Sequence, residues 1–91
     1  MSMLARFTPP SLTAEQYDKT ISDLEAAGDF PPDGLDLHVC FGTDGSLKVS
    51  EIWDSREQFE AFGERLMPVL EEAGIEPGEP ETVEIHNIIR R

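Results

Sequence analysis

At 91 residues the chain is one domain, and a domain of this size buries only roughly 60% of the surface its unfolded chain exposes, so its core is thin. Nineteen Asp and Glu against seven Lys and Arg leave a formal net charge of -12, which disfavours binding to nucleic acid or to anionic membranes. Glu71, Glu72, Glu76, Glu79, Glu81 and Glu84 cluster without an intervening cation and read first as a solvated acidic surface, the alternatives being a recognition patch or adaptation to high salt.

Met3 to Thr8 is short and apolar and is stopped by Pro9-Pro10, which suits a first strand because proline cannot donate to a sheet ladder. Thr13-x-x-Gln16 is a capping box, and Tyr17, Ile21 and Leu24 recur at the helical period. A helix is expected from about residue 13 to 27, ended by Gly28. The segment Gly28-Asp29-Phe30-Pro31-Pro32-Asp33-Gly34 is a loop by composition.

Leu35, Leu37, Val39 and Phe41 alternate with Asp36, His38 and Cys40, the period of two that marks a strand. The next strand runs from about Leu47 to Asp54. With Asp44-Gly45 at the centre of the turn, Phe41 faces Lys48, Cys40 faces Val49, Val39 faces Ser50, His38 faces Glu51, Leu37 faces Ile52 and Asp36 faces Trp53. A three-residue turn would slip the register and strand Glu51 among apolar residues, so the pairing of His38 with Glu51 is preferred.

Ser55-x-x-Gln58, or Asp54-x-x-Glu57 one residue earlier, opens a second helix whose apolar stripe is Phe59, Phe62, Leu66 and Leu70. Pro68 is expected to kink it or to begin it anew. Residues 74–81 form a loop, and Thr82 to Ile89, rich in β-branched residues, is the last strand. The order β-α-β-β-α-β describes an α+β, ferredoxin-like domain: a four-stranded antiparallel sheet with both helices on one face.

The hairpin separates two faces. Leu35, Leu37, Val39, Phe41 and Ile52 are the more apolar set and are expected under the helices. Asp36, His38, Cys40, Val49, Glu51 and Trp53 are expected on the open face. Val83, Ile85, Asn87 and Ile89 are likewise assigned to the helix side, which puts His86 on the open face, at the far side of the sheet from His38. Cys40 is the only cysteine, so there is no internal disulfide, and a cytoplasmic protein is expected. No segment nears the ~18 apolar residues of a membrane span, and the amino terminus lacks the apolar core of a signal peptide.

The strand-to-helix segment Glu51-Ile52-Trp53-Asp54-Ser55, leading into Arg56-Glu57-Gln58-Phe59-Glu60-Ala61-Phe62 in this element order, resembles the dimeric α+β barrel superfamily. Its best-known members are the antibiotic-biosynthesis monooxygenase-like (ABM-like) domains. His38 with His86-Asn87 looks similar to a group of small uncharacterised bacterial members. The resemblance implies a homodimer whose sheets face one another and enclose, in each subunit, a cavity for a small, largely apolar organic molecule. Members of the superfamily oxygenate aromatic polyketides without a cofactor, degrade heme, dechlorinate, cyclise or have no known activity, and the enzymatic reading that the resemblance implies is monooxygenase-like activity without a cofactor. Heme-degrading members carry an asparagine in the first strand and a histidine in a helix, and this chain has neither.

Within that frame His38 and Glu51 are the candidate catalytic pair, a base and the carboxylate that orients it. Trp53, His86, Asp36 and Cys40 are candidates for lining a substrate site. The structural alternatives are a cross-strand polar pair for His38 and Glu51, a structural or incidental histidine near the chain end for His86, a dimer-core aromatic for Trp53 and a small buried apolar residue for Cys40. Tyr17 reads as a core residue of the first helix with its hydroxyl at the edge. A metal site made from His38, Glu51 and His86 lacks any spacing signature, and no phosphate loop or nucleophile motif is present. The competing function is a non-catalytic dimeric binding or accessory module.

Overall fold

The computed structural model describes residues 2–91. Its elements are β1 (Met3–Phe7), α1 (Ala14–Ala26), β2 (Leu35–Phe41), β3 (Lys48–Trp53), α2 (Arg56–Glu72) and β4 (Glu81–Glu84), in the β-α-β-β-α-β order of the ferredoxin-like fold. The four strands form one antiparallel sheet ordered β2-β3-β1-β4.

Local chemistry explains the helix ends. Thr13 caps α1 with the full reciprocal box: its hydroxyl accepts from the Gln16 N–H, and the Gln16 side chain accepts from the Thr13 N–H. Ser55, rather than Asp54, caps α2. Both helices finish in the same way. Gly28 and Gly74, at φ of +78° and +71°, let the chain turn back so that Asp29 N–H reaches Leu24 O and Ile75 N–H reaches Leu70 O. Pro68 does not divide α2, which runs through it as one element.

The β2–β3 hairpin turns at Asp44-Gly45, with Ser46 N–H donating to Thr43 O at 2.8 Å. The turn is also tied to α1: Asp44 Oδ1 accepts from the Ala14 N–H at 2.9 Å, an otherwise free donor in the first turn of the helix. The register is Phe41 with Lys48, Cys40 with Val49, Val39 with Ser50, His38 with Glu51 and Leu37 with Ile52. It departs from expectation at one end, where a bulge between Leu35 and Leu37 pairs Leu35, not Asp36, with Trp53.

The two faces of the sheet are the reverse of the expected assignment. Met3, Ala5, Val49, Glu51 and Trp53 are buried, and Met3, Ala5 and Trp53 form the core with Leu24 of α1 and Phe62 of α2. Leu37 and Val39, expected in the core, are 47% and 41% exposed on the open face, and Val83 is 46% exposed there. Counting apolar residues on each strand misjudged the balance. Trp53 is the largest buried side chain, and the polar groups beside it are paired, so their burial carries little penalty. The bulge at Asp36 then lets Leu35 rejoin the core although Leu37 does not. β4 is also shorter than expected. After Ile85 N–H bonds Ser2 O, the backbone leaves the ladder despite its β-branched residues, whose preference for strands is a weak force.

Candidate functional site

Between the sheet and both helices lies a cleft of about 70 Å³. Apolar side chains make up most of its wall, among them Phe7, Leu24, Phe62 and Leu66, but Tyr17, His38 and Glu51 also line it. The volume is less than the ~150 Å³ of an apolar cavity that takes benzene.

Tyr17, His38 and Glu51 on the wall form, with the Trp53 indole behind them, a single chain of hydrogen bonds. The Trp53 indole N–H donates to Glu51 Oε1 at 3.0 Å. Glu51 Oε2 lies 2.6 Å from His38 Nδ1, and His38 Nε2 lies 2.7 Å from the Tyr17 hydroxyl. An ionised carboxylate can only accept, so Nδ1 carries a proton. With the imidazole neutral, Nε2 then accepts the Tyr17 O–H. Among the described residues no buried side-chain nitrogen or oxygen lacks a partner, and Glu51 tolerates burial for that reason.

Each member is placed by a different element. The hairpin register sets His38 opposite Glu51. The period of two in β3 puts Trp53 on the face of Glu51. α1 lays Tyr17 over His38, and the loop after α1 brings Phe30 edge-on to the imidazole, with ring centroids 5.4 Å apart and planes at 85°. Burial and the negative charges of Cys40, Glu51 and Asp18 push the Tyr17 hydroxyl up to about 12, so the phenol stays protonated at neutral pH.

The candidate residues therefore fall into two groups. His38, Glu51 and Trp53 are brought together, but beneath the helices rather than on the open face. Trp53 supports the cleft from behind, fully buried. Cys40 follows His38 on the same side of β2, with its thiol pushed up by burial and by Asp18, and is not part of the cleft wall. Asp36 lies at the bulge and pairs with Arg90. His86 follows β4 and lines a shallow depression on the open face with Leu4, Ile52 and Val83. His86 thus lies across the sheet from His38, and His38, Glu51 and His86 do not assemble as one ligand set. Among the described residues no group of three or more His, Cys, Asp or Glu side chains is placed to hold a metal ion.

Tyr17 and Phe30 were missed as site residues. The signal for Tyr17 was present: a polar-tipped aromatic on the inward stripe of α1 must meet the inner face of the sheet, where His38 lies. Phe30 sits in an irregular loop whose path no periodicity encodes.

No protein-family model matches the sequence, and no curated protein matches it. Solved structures do match over the full length. A proposed antibiotic biosynthesis monooxygenase from Deinococcus radiodurans is 16% identical with a TM-score of 0.63, covering 100% of this chain and 98% of that one. A second, from Chloroflexus aurantiacus, is 17% identical with a TM-score of 0.63, covering 97% of each chain. SnoaB, a cofactor-independent oxygenase from Streptomyces nogalater, is 14% identical with a TM-score of 0.63, covering 99% of this chain and 96% of its own. At such identities the likeness establishes the architecture alone: this chain has the ferredoxin-like α+β fold of the antibiotic-biosynthesis monooxygenase-like proteins.

Proposed function

We propose that the protein binds a small, largely apolar organic molecule in the cleft between sheet and helices, and that His38, held by Glu51, acts there as a base in cofactor-independent oxygenase chemistry. One observation carries this: an acid–base pair with fixed geometry stands on the wall of an otherwise apolar cleft. In such chemistry the base takes a proton from a phenol-like substrate, whose anion then reacts with dioxygen. One oxygen atom enters the product as a carbonyl in place of two hydrogens, and the other leaves as water, so the substrate itself is the reductant. Similarity of fold to an oxygenase agrees with this reading without requiring it.

The small volume of the cleft favours a second reading, a non-catalytic binding or accessory module in which the four polar groups only satisfy one another. For a ring to be seated, the cleft must widen by movement of its loop walls, such as Leu12, Ile75 and Pro77. The test is a native mass spectrum of protein taken gently from cells, followed by oxygen uptake with any retained compound. Uptake by the wild type and not by His38→Gln supports the oxygenase; a bound compound with no uptake leaves the binding module. No retained mass, together with no change in the methyl NMR signals of the cleft on adding simple hydroxyarenes, removes both.

The homodimer is part of the same proposal. Leu37, Val39 and Val83 form an exposed apolar set on the open face, where a second sheet would cover them. That arrangement leaves the cleft inside each subunit and away from the interface.

A further inference from the structure

The cleft wall has a simple hydrogen-bond account. Both Glu51 oxygens already accept a bond, one from Trp53 and one from His38. Both His38 nitrogens are engaged. The Thr20 hydroxyl, also on the wall, donates to Gln16 O of its own helix at 2.9 Å and has no link to a base. A phenolic oxygen has one proton and spare acceptor capacity, so after donating to His38 the Tyr17 oxygen can still accept. Nothing approaching from the cleft reaches His38 Nε2 without displacing Tyr17.

We propose that Tyr17 is the residue that meets the ligand, and that it selects small apolar molecules carrying an O–H or N–H donor, which it links to His38 as a proton relay. This rests on the cleft being a ligand site. The ligand O–H bond breaks as its proton passes to the Tyr17 oxygen, while the original Tyr17 proton passes to His38 Nε2. The products are a ligand anion, an intact Tyr17 phenol and an imidazolium whose Nδ1–H remains on the Glu51 carboxylate. No oxidant or reductant takes part in this step.

Tyr17 suits a conduit better than a reservoir of charge. Its hydroxyl is bonded to His38 on β2, and burial, with the nearby Cys40 on β2, Glu51 on β3 and Asp18 on its own helix, disfavours a standing tyrosinate. Glu51 and the Trp53 indole are positioning residues that hold the imidazole in the tautomer that can receive the proton.

Two probes test this: 4-nitrophenol, whose anion is coloured differently from its phenol, and 4-nitrotoluene, of similar shape without the donor. In the wild type the bound nitrophenol is expected to ionise about tenfold more readily than free nitrophenol, as befits a charge-assisted contact. Tyr17→Phe is expected to abolish that shift while leaving nitrotoluene affinity unchanged. Unaltered nitrophenol affinity and ionisation in Tyr17→Phe overturns the relay but not the ligand site. Failure of both probes to bind the wild type overturns the ligand site and the relay with it. Should Tyr17→Phe not fold, NMR contacts between bound nitrophenol and the Tyr17 ring in the wild type decide: contact supports the assignment, and a probe seated away from that ring refutes it.

Discussion

His38 Nδ1 lies 2.6 Å from Glu51 Oε2 across the β2–β3 ladder, and the Trp53 indole holds the other Glu51 oxygen at 3.0 Å. The carboxylate is buried between two donors, so its replacement exposes the cost of leaving them unpaired. Glu51→Leu, similar in bulk and unable to accept, is expected to destabilise the fold by about 1–3 kcal/mol for each buried donor left without a partner. Urea unfolding measures the loss, and the imidazole nitrogen shifts of His38 are expected to move with it. A variant as stable as wild type would mean that these bonds contribute nothing net to the fold.

Tyr17 is the only tyrosine, so its ionisation can be followed by ultraviolet absorbance without overlap. Its ordinary value of 10.0 is raised to about 12, first by burial and then by the negative charges of Cys40, Glu51 and Asp18. The folded state therefore holds the proton more tightly than the unfolded state. The contribution to stability is complete below about pH 10 and is lost as pH rises towards 12, because in that window the unfolded chain has already released its proton. The expected spectrum shows one transition near 12 in folded protein and one near 10 in urea. A folded-state midpoint at 10 would show that the hydroxyl is freely solvated.

The register of this hairpin was legible from its Asp-Gly turn, and His38 does face Glu51, but not from a need to keep Glu51 out of the core, because Glu51 is buried beneath the helices in this same register. The choice of faces was not legible in the same way. It depended on whether a buried Glu is satisfied, and the groups that satisfy it, Trp53 and Tyr17 through His38, come from different elements. Alternation also assumes an unbroken strand, whereas the bulge at Asp36 moves Leu35 to the core and leaves Leu37 outside. The helices were easier, since Thr13, Ser55, Gly28 and Gly74 act on their immediate neighbours.

Two glycines separate local freedom from local need. Gly63 lies in the interior of α2, and a methyl group added there meets nothing within 4 Å. Gly63→Ala is expected to stabilise the protein by about 0.5–1 kcal/mol by removing backbone entropy from the unfolded chain. Gly42 has a φ of +109°, and a Cβ there would lie 2.9 Å from the Ser46 carbonyl oxygen. Gly42→Ala is expected to cost about 1–3 kcal/mol and to loosen the hairpin that carries His38. Thermal melts of the two variants should move in opposite directions.

The open face of the sheet is lined by exposed apolar side chains. Leu37 and Val39 lie on β2 in register with Ile52 and Ser50 of β3, and Val83 of β4 faces Leu4 of β1. Their outward side chains contribute to an apolar surface that neither α1 nor α2 covers, and a domain of this size gains much by covering it. Leu37→Lys with Val39→Lys adds two charges to that surface without touching the Tyr17–His38–Glu51 chain on the opposite face. In sedimentation equilibrium at micromolar concentration the wild type is expected as a dimer and the double variant as a monomer, with the high-pH Tyr17 transition unchanged in both. A wild-type monomer removes the dimer. A dimer that survives both lysines moves the interface elsewhere, with the exposed Met67 on α2 the next apolar group to probe.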